Sequence, residues 1–242
     1  MDPVLPDCGF TSDVISIRHF FGTRQVPSQL HPSIKLGEVT TGPPSFPFIA
    51  SLKQIHSTRV VVFDSPARPQ VMLEGEGDAL VTNQPEFLLV VRTADCVPVL
   101  LVDSKVGVIG AIHAGWRGAV GGIVPKTIQT CVEQFGAEVA DMYVAIGPSI
   151  GPCCYEVDAQ VIRPLQAGYP DWLGVLQETE AVRGMLDLKK LIWHQTLASG
   201  IPEHQVERME YCTHCREDLF FSYRREGKVN GTMLSGIMLS RG

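Results

Sequence analysis

Three apolar runs follow one another almost without interruption: "FLLVV" (87–91), "VPVLLVD" (97–103) and "VGVIGAI" (106–112), separated only by polar or turn residues. Each is too short for a helix, and each is apolar at consecutive rather than alternate positions. They read as adjacent β-strands buried on both faces. "MYVAIG" (142–147) reads as a further strand. Where the period changes, helices appear. Ile128, Cys131, Val132 and Phe135 fall at i, i+3, i+4 and i+7, and Gly136 follows as a C-cap would. Asp187 has the character of an N-cap for Leu188, Leu191, Ile192 and Gln195, with Gly200 and Pro202 stopping that helix. The stretch 157–165 is a weaker helix, because Pro164 is expected to break it near its end. Strands and helices alternate without a regular βαβ rhythm. The expected fold is therefore α+β: a single layered domain over residues 1–242, with a mixed, buried β-sheet and flanking helices.

A chain of 242 residues can bury a sizeable core without disulfides or a structural metal. The Pro-rich "TGPPSFPF" (41–48) and Gly-rich "EGEGD" (74–78) read as loops, since strand signals resume directly after each. A net charge of -6 offers no electrostatic footprint for nucleic acid or an anionic membrane. No apolar stretch reaches the ~18 residues needed to cross a bilayer, and "MDPVLPDCGF" lacks the pattern of a signal peptide. The expected location is cytoplasmic, and there the seven cysteines are expected to be thiols, each a core filler, a metal ligand or a nucleophile. Cys131 is core filler by its place on the helix.

Chemistry concentrates where polar side chains adjoin the strand runs. "LKQIHSTRV" carries His56, "RTADCVPVLL" carries Cys96 and "GAIHAGWRG" carries His113. Two imidazoles and a thiolate suit Zn²⁺, and three protein ligands leave a fourth position for water or substrate. The alternative is an inert buried thiol at Cys96 and a strand-capping imidazole at His113. The residues after His113 tip the balance. Gly115 and Gly118 permit close backbone approach, while Trp116 and Arg117 supply a stacking plane and an anion-binding fork. Asp95 precedes Cys96 and, on an extended strand, points to the opposite face, so it is expected to be a turn residue or a support rather than a fourth ligand. If the stretch 54–56 is extended, Gln54 shares a face with His56 and is a candidate substrate contact.

Together "TADCVPVLL", "HAGWRG", "IGPSIGPCCYEV" (146–157) and "FFSYRREG" (220–227) resemble the YfiH-like, laccase-domain family, whose members carry purine nucleoside phosphorylase or polyphenol oxidase names. "HFFGTR" (19–24), "KQIHS" and "GDALVT" (77–82) extend the resemblance along the chain. It implies a CNF/YfiH-like fold and a metal site at His56, Cys96 and His113, with zinc as the ion and copper as the alternative. It implies phosphorolysis of adenosine, inosine and methylthioadenosine to free base and ribose 1-phosphate, together with adenosine deamination. The expected partners are then a small nucleoside and phosphate, acting on a monomer or homodimer. Cys96, His113 and Arg117 are the candidate catalytic residues. Arg24, Gln54 and Trp116 are the candidate substrate contacts, Arg24 and Arg117 ranking ahead of Arg59, Arg92, Arg224 and Arg225 as anion binders. Ser57 stands where the family commonly has Gly, and Thr232 where Arg is usual.

Two rival chemistries follow from the same residues. In a cysteine or zinc-assisted amidohydrolase acting on cell-wall precursor peptides, Cys96 is the nucleophile and His113 its base. A copper-dependent polyphenol oxidase of the multicopper type needs on the order of ten His ligands with His-x-His pairs. This chain has seven His and no such pair, so any oxidase activity needs a different copper site. The zinc nucleobase-deaminase signature is also missing, since no His-x-Glu occurs. Finally, "YCTHC" (211–215) has Cys-x-x-Cys spacing, and Cys153 with Cys154 supplies two more thiols. Adjacent cysteines on an extended backbone diverge and chelate poorly. These four are expected to be loop or core thiols, or to form a reversible Cys212–Cys215 disulfide.

Overall fold

The structure, a computed structural model, describes residues 9–10, 12–24, 39–41, 48–63, 75–180 and 182–240. Most of the Pro-rich 41–48 stretch and the extreme amino terminus lie outside them. Among the described residues the strands form two six-stranded sheets and a three-stranded one. The first runs in spatial order β1 (Gly9–Phe10), β2 (Arg18–Gly22), β15 (Met233–Met238), β7 (Phe87–Thr93), β4 (Phe48–Ala50), β3 (Val39–Thr41). The second runs β14 (Val206–Arg208), β10 (Met142–Ile146), β8 (Val97–Asp103), β9 (Val108–Ala114), β6 (Ala79–Thr82), β5 (Val60–Phe63). The small sheet is β11 (Glu156–Asp158), β13 (Arg183–Leu186), β12 (Leu176–Glu180). Pairing is mixed, because β4–β7, β5–β6 and β10–β14 are parallel and the other pairs antiparallel.

The continuous apolar character of β8 and β9 has a direct cause. Leu100, Val102, Ile109 and Ala111 face the first sheet and pack with Phe21, Leu89, Val91 and Ile237. The alternate residues Val97, Val99, Leu101, Val108 and Ile112 face the helices. Each fully buried Leu or Ile contributes ~1.5–3 kcal/mol of transfer free energy, so a one-residue slip gains nothing and the register rests on hydrogen bonds and shape. Gly147 shows how close the sheets come: a Cβ there would lie 2.3 Å from Phe21 Cδ1.

One expectation is corrected here. β8 and β9 are neighbours as the runs imply, but β7 belongs to the other sheet and meets them face to face. Apolar runs specify burial on two faces, and both sheets of a sandwich with covered outer surfaces satisfy that equally.

Helices α1 (Trp116–Val120), α2 (Ile123–Phe135), α3 (Ala159–Gly168) and α4 (Leu188–Ala198) contribute to the core on the free face of the second sheet; a short α5 (Tyr223–Glu226) follows near the end of the chain. Gly136 ends α2 in the left-handed region, and Asp187 caps α4 by accepting from the Lys190 amide, both as the pattern implies. Cys131 is fully buried, and burial pushes its thiol up to about 12. Val132 departs from the expected core face and is exposed. Pro164 does not break its helix: α3 continues to Gly168. The bond it removes would have ended on the carbonyl of Gln160, and both residues are exposed, so the lost bond falls on the solvent side of the helix, where it costs least.

Candidate metal centre

β6, β9 and β8 lie side by side, and their register writes the centre. Ala79 pairs with Ile112, which sets Asp78 beside His113, and the His113 amide donates to the Asp78 carbonyl at 2.7 Å. Val97 pairs with Ala114, which sets Cys96 at the start of β8 against the residues that follow His113. His56 reaches the same spot from the loop between β4 and β5. The donor atoms of His56, Cys96 and His113 all lie within 4.8 Å of one another, with Cys96 Sγ 3.9 Å from His56 Nε2. A tetrahedral ion with Zn–N of about 2.0 Å and Zn–S of about 2.3 Å needs N···S edges of about 3.5 Å, so small side-chain movements close the site. His113 is buried, Cys96 is half-buried and His56 is exposed. A divalent ion held there is thus open to solvent on the His56 side, as a site that exchanges ligands requires.

Asp78 is the organising residue. Its carboxylate, 1% exposed with its residue, accepts from His113 Nδ1 at 2.8 Å, the His56 amide at 2.9 Å, the Ser57 amide at 2.6 Å and Ser57 Oγ at 2.7 Å. His113 Nδ1 is thereby engaged and Nε2 is left as the ligating atom. The amide bonds also hold His56 at φ 58, a left-handed conformation that non-glycine residues rarely adopt. Burial pushes the Asp78 carboxyl up, but the hydrogen bonds from His113 and Ser57 outweigh it and hold it at about 2. Ser57, in place of the family's common Gly, adds a hydroxyl donor to this carboxylate.

The donor atoms of Cys96 and His113 lie within 4.8 Å of each other, placed to pair as thiolate and imidazolium when no metal is bound. Burial disfavours both charges, yet each favours the other: the thiol is held at about 6 by hydrogen bonding and charge from His113 and His56. Hydrogen bonds to Asp78 and Cys96 lift the imidazole to about 9. A testable consequence is selective alkylation of metal-free protein. Iodoacetamide at pH ~7 should modify Cys96 before Cys153, whose thiol burial and neighbouring thiols push up to about 11. The Cys96 rate should level off above pH ~7, since only the thiolate reacts. A rate still rising about tenfold per unit through pH ~8 would contradict the ion pair.

Gly115 makes room for the cluster. A Cβ there would lie 2.9 Å from His56 Cδ2 and 3.1 Å from Cys96 Sγ, although φ -73° and ψ 170° suit any residue. Gly115→Ala should therefore lower metal affinity by roughly tenfold through displaced ligands, with thermal stability of the metal-free protein close to wild type. Unchanged affinity by competitive chelator titration would contradict the crowding.

The other expected site residues divide. Trp116 lies in the wall of a cleft of about 350 Å³ that also exposes Tyr155, Glu156, Asp158, Gln160, Arg183 and Arg224. Trp116 follows Gly115, which packs against His56 and Cys96, so cleft and metal centre adjoin. Arg117 is exposed, its guanidinium 4.3 Å from the centre of the Trp116 ring. Gln54 is not free for substrate as expected: its amide nitrogen donates to the Arg92 carbonyl at 2.8 Å and its oxygen accepts from the Arg92 amide at 2.9 Å. Arg24 is also placed elsewhere, donating to the Glu217 carbonyl at 2.8 Å and lying over Phe221. Arg225 is tied to the carbonyls of Thr213, His214 and Phe220. The cleft arginines are instead Arg224 and Arg183, and Arg183 had no motif to single it out. Asp95 is a turn residue as expected, though for a different reason than strand alternation. It sits at φ 88 and accepts from Thr213 Oγ1, Ser222 Oγ and the Arg224 amide, fastening the carboxyl-terminal segment beside Cys96.

The expectation that Cys153 and Cys154 diverge too far to share a metal with Cys212 and Cys215 is not met among the described residues. The sulfurs of Cys153, Cys154, Cys212 and Cys215 also lie within 4.8 Å of one another. The backbone at Cys153 and Cys154 is a turn, and the divergence expected of an extended strand does not apply.

The sequence profile of the family described as multi-copper polyphenol oxidoreductase laccase matches residues 38–240. A purine nucleoside phosphorylase of Bacteroides thetaiotaomicron is 42% identical over 178 residues, 73% of this chain and 66% of that protein. The purine nucleoside phosphorylase YlmD of Geobacillus stearothermophilus is 41% identical over 165 residues, 66% of this chain and 59% of that one. The crystal structure of YlmD from that organism has a TM-score of 0.78, at 29% identity and covering 92% of each chain. Adenosine deaminase RL5, from an unknown prokaryotic organism, is 35% identical over 192 residues, 76% of this chain and 72% of that protein. The matched stretch spans just under two thirds of the Bacteroides protein and less of YlmD. The α+β, YfiH-like fold expected from the motifs is thus the fold observed. Among the described residues no helix is long and apolar enough to cross a membrane.

Proposed function

This chain belongs to the multi-copper polyphenol oxidoreductase laccase family, and from that premise we propose that it is a zinc-dependent purine nucleoside phosphorylase with adenosine deaminase activity. Its substrates on this reading are adenosine, inosine and methylthioadenosine, with phosphate as the second substrate and no nucleic acid or membrane partner. The observation that carries the reading is the His56, Cys96 and His113 donor set opening beside a cleft with aromatic walls and two arginines.

Each residue then has a physical task. Trp116 and Tyr155 offer faces against which a purine stacks, and Arg117, packed on the Trp116 ring, holds that face in place. Arg224 and Arg183 supply charge for an incoming phosphate. Arg224 is oriented by its bond to the Glu156 carbonyl and by the Tyr155 ring. In phosphorolysis a phosphate oxygen forms the bond to the ribose carbon as the glycosidic bond to the base nitrogen breaks, and the base leaves with a proton. Zinc bound by His56, Cys96 and His113 supplies Lewis acidity at neutral pH. Asp78 keeps His113 in the tautomer that ligates through Nε2.

Zinc-loaded protein incubated with adenosine, inosine or methylthioadenosine, with and without phosphate, is expected to release free base only when phosphate is present. Adenosine converted to inosine without phosphate reports the deaminase activity. Should no nucleoside be consumed, the purine reading fails.

A second reading has its own support. Asp78, His113 and Cys96 are linked in the order acid, imidazole, thiol, the arrangement of a cysteine hydrolase. The two readings separate on metal. A thiolate committed to zinc is a poor nucleophile, so amide hydrolysis strongest in metal-free protein favours this alternative.

A further inference from the structure

We propose that Cys153, Cys154, Cys212 and Cys215 form a second, structural metal site that takes a thiophilic divalent cation, zinc, through four sulfurs. It is separate from the His56, Cys96 and His113 centre and shares no residue with it.

The geometry is that of a site needing only to close. Four sulfurs about 2.3 Å from one zinc ion stand about 3.8 Å apart. Here Cys153 and Cys154 Sγ lie 3.6 Å and 3.3 Å from Cys215 Sγ, and all four sulfurs fall within 4.8 Å. All four are free thiols. The convergence of two adjacent cysteines has a local cause: the amides of Cys154 and Tyr155 both donate to the Gly151 carbonyl at 3.0 Å, curling the backbone so that the two side chains no longer diverge.

The backbone is fitted to the cluster at Gly151 and Cys212. The Gly151 amide donates to Cys212 Sγ at 3.2 Å. A Cβ on Gly151 would lie 3.2 Å from Cys212 Cβ and 3.3 Å from Cys153 Sγ, so the cluster closes over a position with no side chain. Cys212 is buried by this arrangement, while Cys153 and Cys215 face solvent and leave a route for the ion. The buried Lys189 Nζ donates to the carbonyls of Met209 and Tyr211 at 2.9 Å and 2.8 Å, anchoring the segment that leads into Cys212. The two loops are already registered, with Ser149 bridged to Cys212 and the Thr213 amide donating to the Ser149 carbonyl at 3.0 Å.

The consequence is mechanical. One loop continues into Tyr155 and the cleft wall. The other carries Thr213, which donates to Asp95 beside Cys96. An ion joining them ties the loop that enters the cleft wall at Tyr155 to the loop whose Thr213 holds Asp95 beside Cys96. A fully sulfur donor set leaves no open coordination position, so the site is structural. Ligation displaces thiol protons, making uptake weaker at low pH.

The test uses the full chain. Wild-type protein and Cys96→Ser are stripped with chelator under reducing conditions, then titrated with Co²⁺ as a spectroscopic probe and, separately, with Zn²⁺ by elemental analysis. The expected result is two equivalents in wild type and one in Cys96→Ser, the latter with the intense thiolate-to-cobalt charge transfer of four sulfurs. Adding Cys153→Ser and Cys215→Ser to the Cys96→Ser background should abolish that signal, with folding followed by circular dichroism. The Cys96→Ser measurement decides even if the triple variant unfolds. Absence of the four-sulfur signal in reduced Cys96→Ser overturns the proposal, as does a signal that survives in a folded triple variant. A Cys154–Cys215 or Cys212–Cys215 disulfide that, once reduced, yields thiols binding no Co²⁺ also overturns it.

Discussion

Cys96→Ser should leave a folded protein that carries no ion at the His56 centre and turns over nucleosides more than ~100-fold slower than wild type. Serine is close to cysteine in shape, so the buried β8 start is little disturbed. What disappears is charge: the Cys96 thiol is held at about 6 by its two imidazole neighbours, whereas a serine hydroxyl stays protonated at neutral pH and is a poor ligand. His113 loses the thiolate partner that, with Asp78, lifts it to about 9. Metal content by elemental analysis and nucleoside turnover are the paired readouts. Wild-type turnover in a variant that has lost this ion would show that the centre is not used in the reaction.

Asp78→Asn should weaken the metal by ~10–100-fold although the residue never touches it, and should destabilise the fold by about 3 kcal/mol. In a protein of this size that corresponds to a melting temperature lower by roughly 6–12 °C. The carboxylate accepts from His113 Nδ1, two loop amides and Ser57 Oγ. An amide turns an NH₂ toward some of those donors, leaving buried groups unpaired. The pH dependence has a definite sign. The folded value of about 2 lies below the ordinary carboxyl value of 3.8. Asp78 therefore contributes stability that is fully present above pH ~4 and lost as pH falls through ~2. Acid titration of metal-free wild type and Asp78→Asn should converge in that window. A variant as stable as wild type at pH ~7 would remove Asp78 from its organising position.

That His56, Cys96 and His113 come together was legible because their chemistry is in their identity: imidazole and thiol donors beside the strand runs, with glycines after His113 that leave space. Asp78 carries the same information only through register. In "GDALVT" it reads as a turn aspartate, and its pairing with His113 exists only once β6 lies beside β9. Sheet membership was hidden for a related reason, since β7 and β8 are equally apolar and nothing local separates neighbours in a sheet from neighbours across a core. The shared face of Gln54 and His56 presumes extended backbone, whereas residues 54–57 are not strand and His56 is left-handed, and a strand 38 residues away occupies the Gln54 amide. The four clustered thiols were misjudged on backbone geometry: the divergence argument holds for extended chain, and residues 152–154 form a turn.

The most direct test of the metal-dependent phosphorylase account is a zinc titration of chelator-stripped protein, scored by phosphate-dependent release of adenine from adenosine. The account predicts no release from stripped protein, recovery as zinc fills the His56, Cys96 and His113 centre, and no recovery in Cys96→Ser at any zinc concentration. Full adenine release by stripped protein, or by Cys96→Ser, would contradict it.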